Sequence, residues 1–188
     1  DHEILISQVA RKIRCSDTLW LIHSIISSRC DNSMVVYFKA DDLFTPYLRH
    51  RAIPIGNLTS QFFANVYLNG FDHFVKESLR CKYYIRYVDD FVVFDNSKHR
   101  LREIRRELEC YLEILRLRLH QNKSRVFRTS DGVRFLGYRV FQTHRLIPKE
   151  NALRMRRRLK KYERRYREGE MTFEKINQSI QSWIGHAQ

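Results

Sequence analysis

Asp89 and Asp90 stand side by side within Tyr83-Tyr84-Ile85-Arg86-Tyr87-Val88-Asp89-Asp90-Phe91-Val92-Val93-Phe94, a segment otherwise dominated by aromatic and β-branched residues. That composition favours strand, and two acidic residues at its centre divide it into a hairpin with the carboxylates at the tip. Adjacent carboxylates in apolar company raise each other's pKa, and desolvation adds to the cost. A divalent cation removes the conflict, since Mg2+ takes oxygen ligands, commonly one or two carboxylates together with substrate phosphates. Two such ions about 3.5–4 Å apart clamp the attacking and leaving oxygens of a phosphoryl transfer. The pair therefore reads either as half of a phosphoryl-transfer metal site or as a solvated turn, and this segment alone leaves both open. A second pair, Asp41-Asp42, lies before Leu43 and near Pro46, where a solvated turn is the better reading.

The elements that must position Asp89 and Asp90 follow from periodicity. Residues 3–13 read as a helix, and Ser16 or Asp17 caps a second through about Ser28. Residues 29–52 read as a connection. From Leu58 to Leu79 the pattern is helical, with Phe62, Val66, Phe71 and Phe74 among the apolar positions and Thr59 or Ser60 as a cap. Ser97 caps the helix after the hairpin, where Leu101, Ile104, Leu108, Tyr111 and Leu115 recur at steps of three and four. Two short strands follow, about 124–129 and 133–141, joined by a turn at Asp131-Gly132. A helical tail starts near Lys149, with Ala152, Met155, Leu159, Tyr162 and Tyr166 as its stripe, and a last helix covers roughly 172–186. This order of helices and hairpins predicts an α+β fold with an antiparallel sheet.

The 188 residues suffice for one domain and a small appendage, and 43% hydrophobic residues support a packed core. The apolar runs are short and broken by charge, which predicts no membrane span. The opening Asp1-His2-Glu3 does not read as a signal peptide. Cys15, Cys30, Cys81 and Cys110 show no C-x-x-C spacing and the eight histidines no H-E-x-x-H, so neither zinc nor a disulfide framework is expected. Four buried thiols in a reducing cytoplasm are the simplest reading.

A net charge of +14 favours polyanions, nucleic acid above all. Between Lys149 and Glu168 there are ten Lys or Arg against three Glu, half of the chain's excess charge. Arg154, Arg156, Arg157, Arg158, Lys160, Lys161, Arg164 and Arg165 surround the apolar stripe, so one face packs while the others are available to phosphates.

Four segments, in order and spacing, resemble reverse transcriptases. Tyr87-Val88-Asp89-Asp90 resembles the family's Y-x-D-D box. The stretch Ile53-Pro54-Ile55-Gly56-Asn57-Leu58-Thr59-Ser60-Gln61, continuing to Leu68, resembles the B motif. Leu119-His120-Gln121-Asn122-Lys123 looks like the D motif, and Phe135-Leu136-Gly137-Tyr138 like the primer-grip hairpin. The resemblance implies a polymerase palm over residues 1–148 and a helical thumb over 149–188. It implies that Asp89 and Asp90 ligate Mg2+, with Mn2+ as the alternative cation, and that Lys123 assists pyrophosphate departure. Gly56 would let backbone approach the nascent base pair, Ser60 and Gln61 would line the template and nucleotide pocket, Tyr87 would contact substrate or template, and Gly137 and Tyr138 would help hold the primer end. Read without the resemblance, Gly56 is a loop glycine, Ser60 a helix cap, Lys123 a surface lysine, and Gly137 and Tyr138 strand residues.

The implied partners are a template RNA, a DNA or RNA primer and dNTPs, with no membrane. Ile55 and Gln61 are similar to the B motif of diversity-generating retroelements, a bacterial or phage group that works with a basic accessory protein. Ser179-Ile180-Gln181-Ser182-Trp183-Ile184-Gly185-His186-Ala187 resembles the thumb of that group and of group II intron-like enzymes. The family's A motif ends in a string like Ser-Ile-Asp-His, so Asp1-His2 reads as the end of that motif. Its metal-binding aspartate and the fingers are then expected upstream, and residues 1–188 alone are expected not to polymerise. Three rival readings remain: a non-catalytic, maturase-like RNA-binding protein, an RNA-dependent RNA polymerase, and a basic protein of membrane surfaces.

Overall fold

A computed structural model describes residues 1–28, 35–39, 41–54 and 58–187. They form mixed helix and small antiparallel sheets, organised as two compact units, 1–127 and 128–188.

In the first unit, α1 (His2–Ala10) and α2 (Ser16–Ser27) pack together, and α1 also packs on α4 (Leu58–His73). A short α3 (Thr45–Leu48) precedes α4, and the last turn of the α4 rod, Phe74–Ser78, widens to π geometry. β1 (Tyr83–Tyr87) and β2 (Asp90–Phe94) form an antiparallel hairpin, followed by α5 (Lys98–Ile114). The Ser97 hydroxyl caps α5 by accepting from the Arg100 amide at 3.2 Å, as its position predicts. One core joins these elements: Leu5 and Val9 of α1, Ile26 of α2, Phe63, Tyr67 and Phe71 of α4, and Ile104, Leu108 and Leu112 of α5. Phe71 is its centre, meeting Phe91 edge-on at 5.2 Å and Tyr84 at 6.5 Å, so α4 carries the hairpin on its back.

Thr59 and Ser60 do not cap α4: the helix begins at Leu58, and the Ser60 hydroxyl donates to the Pro54 carbonyl. Asp41 and Asp42 are not a common solvated turn. Asp42 is exposed and accepts from the Phe44 and Thr45 amides at 2.9 and 2.6 Å. The Asp41 carboxylate is buried against the Arg49 guanidinium, because a buried charge needs a partner. Arg49 also lies 3.3 Å from Asp1 and over the Phe38 ring, which receives Arg118 as well. The thiols are not uniformly buried either: Cys81 is, while Cys15 and Cys110 are exposed, and Cys30 lies outside the described residues.

The second unit holds a three-stranded meander, β3 (Val133–Phe135), β4 (Tyr138–Val140) and β5 (Arg145–Leu146), then α6 (Lys149–Arg167) and α7 (Phe173–Ala187). The strand expected over 124–129 is absent from the described fold: 124–128 are unpaired, and Thr129–Asp131 form a 3-10 turn. The hairpin turn lies at Leu136-Gly137 instead, both with positive φ (50° and 82°), the combination that tight two-residue hairpins require. The α6 stripe is only partly covered. Met155 is buried and Tyr162 shares a 2.9 Å hydrogen bond with Ser179 of α7, but Ala152, Leu159 and Tyr166 are exposed.

Candidate active site

The two carboxylates sit at the tip of the first hairpin. Tyr87 pairs with Asp90 at the end of the ladder, and Val88 and Asp89 make the turn. Alternation places Tyr83, Ile85, Tyr87 and Asp90 on one face, and Tyr84, Arg86, Phe91 and Val93 on the other. The second face packs on α4 and α5. The first is open, with Tyr83, Ile85 and Tyr87 each more than half exposed, and both aspartates are exposed.

Three other aspartates are neutralised by arginine: Asp1 by Arg116 at 2.6 Å, Asp41 by Arg49, and Asp72 by Arg86 at 2.5 Å. Asp89 and Asp90 make no ion pair or side-chain hydrogen bond with any described residue. The two oxygen-rich groups therefore face solvent together and uncompensated, which suits cation capture. Among the described residues no third His, Cys, Asp or Glu joins them as a cluster. The donor set fits Mg2+ as a partial site, completed by phosphate oxygens or by a carboxylate from elsewhere.

Behind the turn lies an arrangement that the sequence reading missed. Arg86 forms a forked pair with Asp72, Nε to Oδ1 at 2.7 Å and Nη2 to Oδ2 at 2.5 Å. Its Nη1 donates to Asn65 Oδ1 at 3.0 Å and to the Val88 carbonyl at 2.8 Å. Tyr84 donates its hydroxyl to Asp72 at 2.6 Å. Burial pulls the Asp72 carboxyl upward, but the bonds from Arg86 and Tyr84 outweigh it and leave it below the ordinary carboxylate value. The Asp72 bond likewise holds Arg86 firmly protonated, and burial, then Asp72, pushes the Tyr84 phenol up. Asn65 and Asp72 are seven residues apart, two turns along one face of α4, and that spacing was the available signal.

The remaining motif residues are placed as follows. Gly56 lies outside the described residues, Ser60 is bonded to Pro54 as above, and Gln61 is exposed. Lys123 is exposed in a turn closed by bonds from the Lys123 and Ser124 amides to the His120 carbonyl, 3.1 and 2.9 Å, and it pairs with no described carboxylate. Gly137 and Tyr138 belong to the second unit, Gly137 in the exposed β3–β4 turn and Tyr138 with Arg145 stacked 4.9 Å from its ring centre. On α6, Arg154, Arg156, Arg157, Arg158, Lys160 and Lys161 are exposed and make no ion pair with described residues. Arg164 and Arg165 are engaged by Glu168 at 3.8 Å and Glu170 at 3.1 Å.

A family model described as reverse transcriptase (RNA-dependent DNA polymerase) matches residues 1–140. The chain belongs to the reverse transcriptase family. The match runs from α1 through β4 and includes the hairpin with Asp89 and Asp90, while α6 and α7 lie beyond it. Protein YkfC of Escherichia coli (strain K12) is a curated relative, 26% identical over an alignment covering 75% of this chain and 43% of that protein. The chain thus spans less than half the length of that relative. No helix of the described residues is long and apolar enough to cross a membrane.

Proposed function

We propose that the protein is an RNA-templated DNA polymerase, that residues 1–148 belong to its palm and 149–188 to its thumb, and that Asp89 and Asp90 hold the catalytic cations. The observation that carries this reading is the contrast among the aspartates. In a chain of net charge +14, Asp1, Asp41 and Asp72 are each matched by an arginine, and the exposed pair at the hairpin tip is not.

Bound Mg2+, or Mn2+, would lower the pKa of the primer 3′-hydroxyl and offset charge on the departing pyrophosphate. Asp89 and Asp90 would hold it, together with oxygen ligands from the substrate phosphates or a further carboxylate. Tyr87 shares a face with Asp90 and offers an aromatic surface beside the primer end. Ser60 ties Pro54 to the first turn of α4, and Gly56 and Gln61 stand on either side of it in the chain, lining the nucleotide and template pocket. Lys123 supplies positive charge to the leaving pyrophosphate. Gly137 lets backbone approach the primer at the β3–β4 turn, beside Tyr138. The unpaired arginines and lysines of α6 hold the nucleic-acid backbone.

The B-motif residues Ile55 and Gln61 support a diversity-generating retroelement context in a prokaryotic cytoplasm, and the segment from Ser179 to Ala187 supports that or a group II intron-like one. Its partners are then a template RNA, a DNA or RNA primer, dNTPs and a basic accessory protein. A second reading, a non-catalytic maturase-like RNA-binding protein, draws on the free cations of α6. Primer extension on an RNA template with dNTPs and Mg2+, run on the full-length protein beside Asp89→Ala, separates the two. Extension by the parent and not by the variant supports the polymerase. RNA binding by both, with extension by neither, supports the binding protein.

A further inference from the structure

Val88 occupies the left-handed region at φ 54°, where a β-branched residue is strained. A strained turn persists only where its surroundings hold it. Here the one side-chain hydrogen bond to the turn backbone among the described residues comes from Arg86, to the Val88 carbonyl at 2.8 Å. The same guanidinium is fixed by Asp72 through Nε and Nη2, and by Asn65 at the Nη1 that also meets Val88, both partners on α4. Its side chain is only 9% exposed, so it has little room for another rotamer. Val88 immediately precedes Asp89, and its peptide plane sets the direction in which the Asp89 backbone leaves the turn.

We propose that Arg86 is a positioning residue, a clamp between α4 and the hairpin turn that holds Asp89 and Asp90 in a cation-binding orientation without touching the cation itself. This rests on the proposed role of the aspartates. A guanidinium suits the task and an ammonium does not. Arg86 serves Asp72 through two donors and still presents Nη1 to Val88 and Asn65, whereas a lysine at this position reaches one of these sites at a time. Arg86→Lys therefore keeps a positive charge beside Asp72 and releases the turn. Groups that orient ligands in this way commonly change metal affinity by about 10–100-fold.

The test is a Mn2+ titration of the full-length protein, followed by electron paramagnetic resonance without nucleotide, for the parent, Asp89→Asn, Arg86→Lys and Asn65→Ala. Melting temperature and template RNA affinity are measured on the same samples. The expected result is Asp89-dependent Mn2+ binding by the parent, weakened about tenfold in Arg86→Lys, with RNA affinity unchanged. Parental Mn2+ affinity in a folded Arg86→Lys protein overturns the clamp and leaves the role of the aspartates standing. Mn2+ binding by the parent that does not depend on Asp89 overturns both. Should Arg86→Lys fail to fold, Asn65→Ala decides in its place. It frees one anchor while the Asp72 pair stays, and unchanged Mn2+ affinity there overturns the clamp.

Discussion

The Tyr67 hydroxyl donates to the Leu115 carbonyl at 2.6 Å, joining the middle of α4 to the residue just past the end of α5, deep in the core. The bond spans 48 positions of sequence and closes the layer on which the hairpin rests. A helix end leaves carbonyls without intrahelical partners, and Tyr67 satisfies one of them away from water. Tyr67→Phe removes the donor and keeps the ring, so the Leu115 carbonyl is left unsatisfied in that interaction. The expected loss is about 1–3 kcal/mol of stability, read as a lower denaturation midpoint with an unchanged slope.

Acid sensitivity follows from Asp72. Its carboxyl is held below the ordinary carboxylate value of 3.8: burial acts upward, and the hydrogen bonds from Arg86 and Tyr84 outweigh it. Because the folded pKa is depressed, the unfolded chain takes up this proton first as acid is added. The stabilisation is complete above 3.8 and is lost as pH falls through the lower folded value. Asp72→Asn removes this contribution. Melting temperatures measured from about pH 6 to pH 2 should therefore converge for the variant and the parent at the acid end. A constant gap across that range would show that the charge of Asp72 contributes nothing.

Local signals made much of the first unit legible. Ser97 stands one residue before its helix, the α5 stripe repeats every three or four residues, and the hairpin is a single stretch of strand formers broken by two acids. The partners of Arg86 were not legible, because forked pairing with Asp72 depends on tertiary distance across 14 positions. Asp41 looked solvated for the same reason: its partner Arg49 is buried only once Asp1 and Phe38 close around it. Further along, two glycines five residues apart each offered a turn, and only geometry distinguishes them. Gly132 ends a 3-10 turn and Gly137 makes the hairpin.

Those two glycines give a paired prediction. Gly132 has φ 77° and ψ 126°, a region that only glycine readily adopts, and a Cβ there would lie 2.6 Å from the Phe141 ring. Gly137 has φ 82° with open space around it. Alanine at Gly137 meets the backbone cost alone, about 1–2 kcal/mol. Alanine at Gly132 adds a collision with a packed ring and should cost more. Thermal unfolding of Gly132→Ala and Gly137→Ala checks the order, and equal midpoints would mean that Phe141 yields freely.

The basic helix makes a prediction that depends on pairing rather than on charge count. Arg156, Arg157 and Arg158 are exposed without carboxylate partners among the described residues, whereas Arg165 is held by Glu170 at 3.1 Å. A cation that contacts phosphate releases counterions, and each contact adds about 0.7 to the slope of log affinity against log salt for a single strand, or about 0.9 for a duplex. A cation already neutralised by a neighbouring glutamate displaces fewer. Arg157→Ala should therefore flatten the salt dependence of RNA binding by nearly one such contact, and Arg165→Ala by less. The measurement is fluorescence anisotropy with a labelled RNA across a salt series. Equal flattening by both variants would show that the Glu170 pair opens when RNA arrives, and no flattening by either would move the backbone contact off α6.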